Sequence, residues 1–163
     1  MIFKFNISVR FLLLASGVFS LLALAGALAG QYIFLLHPCP LCIYQRIPYA
    51  LILVVSLPSY FFIKSQKSLY YIAIICNLLF LVGSGIAAYH TGVEYGFFPA
   101  PTACSGGGSE GQSLEEMRAA IMNAPLVSCA QAMAYIFGLS MAAWNMLAAF
   151  LAFVGSAIVL FKK

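Results

Sequence analysis

The residues in this 163-residue chain best suited to chemistry are its five cysteines, four of which fall into two pairs. Cys39 and Cys42 stand in His37-Pro38-Cys39-Pro40-Leu41-Cys42, with the two-residue gap that lets a loop-to-helix turn bring two sulfurs within bonding reach. If Pro40 takes the first helical position, where its missing N–H costs nothing, Cys39 becomes the cap and Cys42 falls in the first turn. Unpaired N–H groups and the helix dipole at that end favour a thiolate. Arg46 follows Cys42 by four residues, which puts a permanent cation on the same helix face. The pattern predicts an electropositive, redox-active dithiol. An inert disulfide beside a snorkelling Arg46, or a zinc site, would use the same residues. A staple gains little in so small a loop, and only one of the two cysteine pairs has ligand spacing.

The second pair, Cys104 and Cys129, differs in kind. Pro99 and Pro101 precede Cys104 and Ser105-Gly106-Gly107-Gly108-Ser109 follows it, so this cysteine stands in a segment with little means of burying itself and can be handed to a partner. Ser113-Leu114-Glu115-Glu116 reads as a capping box opening a short helix with Leu114, Met117, Ile121 and Met122 on one face, stopped by Pro125. Such a helix is expected to lie on a membrane surface and to hold Cys129 near Cys39 and Cys42. A plain loop-closing disulfide is the alternative. Cys76 lies inside an apolar run and reads as a packing thiol. His90 and His37 flank apolar runs near the first pair, where an imidazole can serve proton transfer.

What must position these groups follows from composition. With 64% hydrophobic residues, 7% charged and a mean hydropathy of +1.02, the chain has too few polar residues to cover a water-soluble globule and is too apolar to stay a solvated coil. A lipid bilayer is the solvent that remains. The eight basic residues are scattered and form no stripe for nucleic acid. Four spans are expected, at about 11–36, 41–63, 69–90 and 140–161. The first is about 39 Å of helix against a hydrocarbon core of about 30 Å. That run is far longer than the apolar core of a secretory signal, so it reads as a span. Gly83, Ser84 and Gly85 would let helix backbones approach, and Trp144 would anchor the last span at an interface. Four spans put both ends of the chain on one side with Lys4, Arg10, Lys64, Lys67, Lys162 and Lys163, which makes that side the cytoplasm. Arg46, near the outer end of the second span, falls on the other side, as do Arg118 and the acids Glu94, Glu110, Glu115 and Glu116 in an external loop at about 91–139; the other external loop is at about 37–41. The expected fold is therefore an all-α membrane protein, one domain over 1–163. It is a four-transmembrane-helix bundle with two external cysteine-bearing loops and a short interfacial helix in the second.

Three segments together resemble the disulfide bond formation protein B family, DsbB. They are Pro38-Cys39-Pro40-Leu41-Cys42-Ile43-Tyr44-Gln45-Arg46, Tyr89-His90 through Pro101-Thr102-Ala103-Cys104, and Gly138-Leu139-Ser140-Met141 before Trp144-Asn145. The resemblance implies a multi-pass protein of the bacterial inner membrane, with cytoplasmic termini and periplasmic cysteine loops. Its implied activity is that of a protein-dithiol:quinone oxidoreductase, which reoxidises a periplasmic thioredoxin-fold dithiol oxidase (DsbA-like) and passes the electrons to a membrane quinone, ubiquinone or menaquinone. Carried over by position, Cys104 is the sulfur attacked by the partner and Cys129 resolves the mixed disulfide. Cys39 passes the disulfide to the loop pair, Cys42 is the thiolate against the quinone, and Arg46 and His90 occupy quinone-site positions. The chain departs from the family in its glycine-rich run after Cys104 and in the neutral Ala130-Gln131-Ala132 after Cys129, which bears on the identity of the partner. A soft-metal carrier, which predicts reduced thiols and co-purifying zinc or copper(I), and an assembly subunit with stapling disulfides, which predicts no redox exchange with any dithiol, are the competing classes.

Overall fold

Where lipid must solvate the backbone, every N–H and C=O has to be paired within its own segment, so long apolar runs become helices. The structure is a computed structural model and describes residues 2–101, 129–132 and 134–161. It contains α1 (Ile2–Tyr32), α2 (Pro40–Phe62), α3 (Gln66–Glu94), a short hairpin of β1 (Tyr135–Ile136) and β2 (Leu139–Ser140), and α4 (Met141–Phe161). Four helical stretches are long and apolar enough to cross a membrane: Val9–Tyr32, Pro40–Phe62, Gln66–Glu94 and Met141–Phe161. Helix α3 packs most extensively on α4, while α1 and α3 flank α2. The chain is a four-helix membrane bundle, and the expected interfacial helix falls outside the described residues.

The core lies between the helices. Phe80 of α3 meets Phe19 of α1 and Tyr49 of α2 edge to face, and those two rings lie tilted to each other, with centroids 5.8–6.4 Å apart, beside buried Leu13, Ile52, Leu69 and Cys76. Cys76 is thus a packing thiol. A Cβ on Gly17 would stand 2.5 Å from Leu57 Cδ2 and 2.7 Å from Ser56 Oγ, so only glycine lets α1 approach α2 this closely. Gly83 faces Pro48 of α2, and the neighbouring Ser84 hydroxyl donates to the Met146 carbonyl of α4 at 3.4 Å. Inside the bundle, Ser156 donates to Asn77 Oδ1 at 2.5 Å, a polar pair that satisfies itself where water is absent.

The elements depart from the sequence expectation at the ends of α1 and α3 and in an added hairpin, and α1 and α3 also begin earlier than expected, at Ile2 and Gln66. Helix α1 stops at Tyr32, because 24 residues from Val9 already give about 36 Å of helix; residues 33–36 then cross towards α2, with Leu35 at φ 54°. Helix α3 runs one turn further than expected, to Glu94, and is stopped by Gly96 at φ 76°. Residues 95–99 fold back over that turn: Phe97 and Phe98 donate to the Gly92 carbonyl, and Phe98 stacks on Tyr89. Finally, residues 135–140 form the antiparallel hairpin, pairing Tyr135 with Ser140 and Ile136 with Leu139. Its two-residue turn, Phe137-Gly138, has φ 51° and 81°, positive at both positions as a hairpin of this length requires. The Trp144 indole donates to the Ile136 carbonyl at 2.8 Å, so it fastens the hairpin to α4. Ser140 then caps α4, its hydroxyl accepting from the Ala143 N–H at 3.1 Å.

Candidate functional site

Pro40 is the first residue of α2 and Cys39 its N-cap, at φ −70° and ψ 162°. The Cys39 sulfur takes the role a serine oxygen usually plays there, accepting from the Cys42 N–H at 3.3 Å, while the Cys39 carbonyl opens the helical ladder to Ile43. Both cysteines are free thiols, with sulfurs 2.8 Å apart. Closing to the ~2.05 Å of a disulfide takes less than about 1 Å of movement, so the cap geometry is ready for either redox state.

Donors converge on Cys39. The Cys42 thiol, the His90 ring at 3.5 Å and the Cys42 N–H all favour its anionic form, the Cys42 thiol most, and against the opposing cost of burial they bring its pKa down to about 4. The capping sulfur thus draws contacts from both α2 and α3. Arg46 does lie on the Cys42 face of α2, yet its guanidinium is turned to α1, donating to Gln31 Oε1 at 2.7 Å and to the Ala27 carbonyl at 3.5 Å.

His90, buried on α3, sits at the centre of a polar cluster. Gln45 Nε2 lies 2.6 Å from His90 Nδ1, Asn145 Nδ2 donates to Gln45 Oε1 at 2.6 Å, and the Tyr49 hydroxyl donates to Asn145 Oδ1 at 2.7 Å. Glu94, one turn on from His90, brings Oε1 within 3.7 Å of His90 Nε2. Its side chain is 7% exposed and its second oxygen has no hydrogen-bond partner. Sequence reasoning missed Glu94, Gln45, Tyr49 and Asn145. The four-residue spacing from His90 was the available signal for Glu94.

A cavity of about 310 Å³ opens beside these groups and is walled by all four helices, a size within the range of small-molecule sites. Its walls are mainly apolar, including Leu22, Gly26 and Leu36, and its polar edge holds Cys39, Cys42, Arg46, His90 and Glu94. Fully buried Cys129 packs with Cys39, Leu41 and Val93, and Cys42 lies against the same cluster. Cys129 is disulfide-bonded. Of the residues singled out in the sequence, Cys39, Cys42, Cys129, Arg46 and His90 are thus brought to one end of the bundle. His37 is exposed and outside the cavity, and Cys104 lies outside the described residues.

A membrane bundle that caps one helix with a buried dithiol, sets a second bonded cysteine against it and opens a largely apolar cavity beside it is built as a membrane thiol oxidoreductase. The family model described as "Disulfide bond formation protein DsbB" matches residues 9–160, and the chain belongs to that family. It is 31% identical over 130 residues to an uncharacterized protein of Rickettsia prowazekii, covering 78% of this chain and 74% of that one. It is 36% identical over 81 residues to "Disulfide bond formation protein B" of Herminiimonas arsenicoxydans, covering half of each chain. No solved structure matches. Membership makes this protein a multi-pass membrane oxidoreductase of disulfide bond formation.

Proposed function

We propose that the protein takes electrons from a DsbA-like thioredoxin-fold dithiol on the outer side of a bacterial inner membrane and passes them to a membrane quinone, ubiquinone or menaquinone. The observation that carries this reading is the position of the Cys39–Cys42 pair, which packs with bonded Cys129 and also lines the apolar cavity. The charge asymmetry of the chain supports cytoplasmic ends and periplasmic cysteine loops.

The partner dithiol reduces the loop disulfide, with Cys104 as the sulfur first attacked. The freed Cys129 thiolate then attacks the Cys39 sulfur of the oxidised Cys39–Cys42 pair. A Cys129–Cys39 bond forms, the Cys39–Cys42 bond breaks, and the electron pair leaves on Cys42, which lines the cavity. Re-formation of the loop disulfide leaves both Cys39 and Cys42 reduced.

A quinone bound in the cavity would accept two electrons and two protons. Apolar walls and an edge of hydrogen-bonding groups fit its ring and carbonyls, and Arg46 would hold it through guanidinium donors not used on Gln31 and Ala27. As Cys39 and Cys42 close to a disulfide, the reduced pair, which shares one proton between its two sulfurs, gives up two electrons and that proton. The second proton must come from another group, and His90 Nε2 and the Glu94 carboxyl both stand at the cavity edge.

The Sγ and ring-nitrogen atoms of Cys39, Cys42 and His90 lie within 4.8 Å of one another, which favours a second reading as a soft-metal site. It is the weaker one. Gln45 presents an amide donor to His90 Nδ1, which leaves the proton on Nε2, the nitrogen facing Cys39, and a metal ligand there would have to be bare.

Anaerobic mixing of the purified, oxidised protein with a reduced DsbA-like protein and either quinone tests the proposal through the quinone absorbance. Reduction that requires both the dithiol and this protein is expected. Thiol oxidation with no loss of oxidised quinone would overturn the choice of acceptor, and stoichiometric zinc or copper in protein that exchanges no thiols would favour the metal reading.

A further inference from the structure

Three side chains of the cavity wall, Gln45, Tyr49 and Asn145, are joined to His90 in one chain of hydrogen bonds. Tyr49 and Gln45 lie four residues apart on α2, His90 is on α3 and Asn145 on α4. Their hydrogen bonds run in one direction: the Tyr49 hydroxyl gives to Asn145 Oδ1, Asn145 Nδ2 gives to Gln45 Oε1, and Gln45 Nε2 gives to His90 Nδ1. An amide that accepts at its oxygen must donate from its nitrogen, so each link sets the polarity of the next. Both ends favour the same sense. Reversal would turn the bare lone pair of His90 Nε2 towards the Cys39 sulfur at 3.5 Å and the Glu94 carboxylate at 3.7 Å, two acceptors. It would also ask Gln45 to flip inside a wall where a stranded amide finds no water.

We propose that Asn145 and Tyr49, acting through Gln45, are positioning residues that hold His90 in its Nε2–H tautomer with that proton aimed at Cys39. The proposal deepens the reading above, since it names what orients the imidazole beside the dithiol. Neither Asn145 nor Tyr49 bonds a cysteine; their effect passes through Gln45. The ionisable groups around the ring are Cys39 and Cys42 at the start of α2, Arg46 further along it, Tyr49 at the end of the relay, and Glu94 on α3; α1 and α4 line this cavity with no titratable side chain among the described residues.

The chain has two histidines, so selective 15N-histidine labelling of the reduced full-length protein reads His90 directly, with His37 as reference. In the wild type, His90 Nδ1 is expected to resonate as a bare nitrogen and Nε2 as a protonated one. Asn145→Leu removes the donor to Gln45 Oε1, and a substantial population with Nδ1 protonated is expected. Tyr49→Phe removes one oxygen and is expected to shift the balance in the same direction by less. It also keeps the test alive if the leucine variant does not fold.

A second measurement separates positioning from packing. Asn145→Leu is expected to slow dithiol oxidation about three- to tenfold in the wild-type background, the size of coupling usual within one hydrogen-bonded network, and to add less than about twofold in a His90→Phe background. An unchanged Nδ1 signal in folded Asn145→Leu and Tyr49→Phe proteins, or an equal loss in both backgrounds, overturns the relay. The nitrogen signals need no acceptor. A tautomer that shifts as expected in a protein that reduces no quinone would therefore sink the functional reading and leave the relay standing, and the converse result would do the reverse.

Discussion

Each end of the bundle sets an arginine against a neighbouring helix end, and the two are used differently. At one end Arg10 of α1 donates to the carbonyls of Ile63 at 2.9 Å and Tyr60 at 3.4 Å, which are among the last of α2 and have no partner within the helix. At the other end Arg46 of α2 reaches back to α1, but it engages one side chain, Gln31, and one carbonyl, Ala27, while facing the cavity beside Cys42. The first cation finishes a helix. The second is held in place with donors to spare, as a site that must meet developing negative charge requires. No carboxylate is paired with either guanidinium among the described residues; the buried carboxylate at the dithiol end, Glu94, lies beside His90 instead. The contrast suggests that function at this end is carried by groups whose hydrogen bonding is left incomplete.

The largest test of that contrast removes the sulfur on the cavity side. Cys42→Ala should abolish electron delivery to quinone while a partner can still be trapped on Cys104. Wild-type quinone reduction by the variant would show that the pair is not the electron path. The same substitution removes the strongest influence lowering the Cys39 pKa, the hydrogen bond shared between the two sulfurs. In the reduced wild type the Cys39 thiolate is present above its pKa of about 4 and is lost only as pH falls through that value. Alkylation of Cys39, followed by mass spectrometry, should therefore hold nearly constant from about pH 8 to 5 in the wild type and fall over that range in Cys42→Ala. A flat profile in both would mean that the other donors suffice.

The next effect in size belongs to Arg46. Arg46→Ala should lower quinone turnover by about a hundredfold, as loss of a preorganised donor does, with little change in the rate at which the loop disulfide exchanges with a dithiol partner. Arg46→Lys should recover only part of the loss, because an ammonium cannot hold Gln31 and face the cavity with a planar fork. Equal losses in both half-reactions would assign Arg46 the same structural duty as Arg10.

What could be read in advance divides along the same line. The CxxC cap was legible because its geometry is local: Pro40 at the first helical position dictates Cys39 as cap and Cys42 one turn in. The four spans were legible from apolar runs between isolated charges, and their ends were not, because lipid thickness fixes only a minimum length. Helix α1 therefore ended before Leu36, and α3 gained the turn that carries Glu94 to His90. The relay was not legible at all. Gln45 and Asn145 are separated by 100 residues, Tyr49 and Asn145 by 96, and a polar residue inside a span gives no sign of which helix will partner it. The spacing of Arg46 placed it on the Cys42 face of α2 but gave no sign that its guanidinium would be drawn to α1. The roles assigned to Cys104 and to the 113–125 segment fall on residues outside those described and rest on the resemblance and the pattern alone.

The smallest expected effect is at Arg10, and it sharpens the comparison from the other side. Arg10→Ala leaves the α2 carbonyls of Tyr60 and Ile63 without a donor, close to the point where the helix meets water. A hydrogen bond from a charged group to a carbonyl is worth about 1.5–3 kcal/mol, and partial hydration of the freed oxygens returns some of it. Loss of about 1 kcal/mol is expected, seen as a fall of a few degrees in Tm in detergent, with dithiol:quinone turnover at 25 °C unchanged. Arg10 stands at the opposite end of α2 from the dithiol, with the core of Phe19, Tyr49 and Phe80 between them, so a helix end that frays there need not disturb the cap. If turnover fell along with Tm, the two ends of α2 would be coupled through its interior prolines, Pro48 and Pro58, and the division between a structural and a functional arginine would not hold.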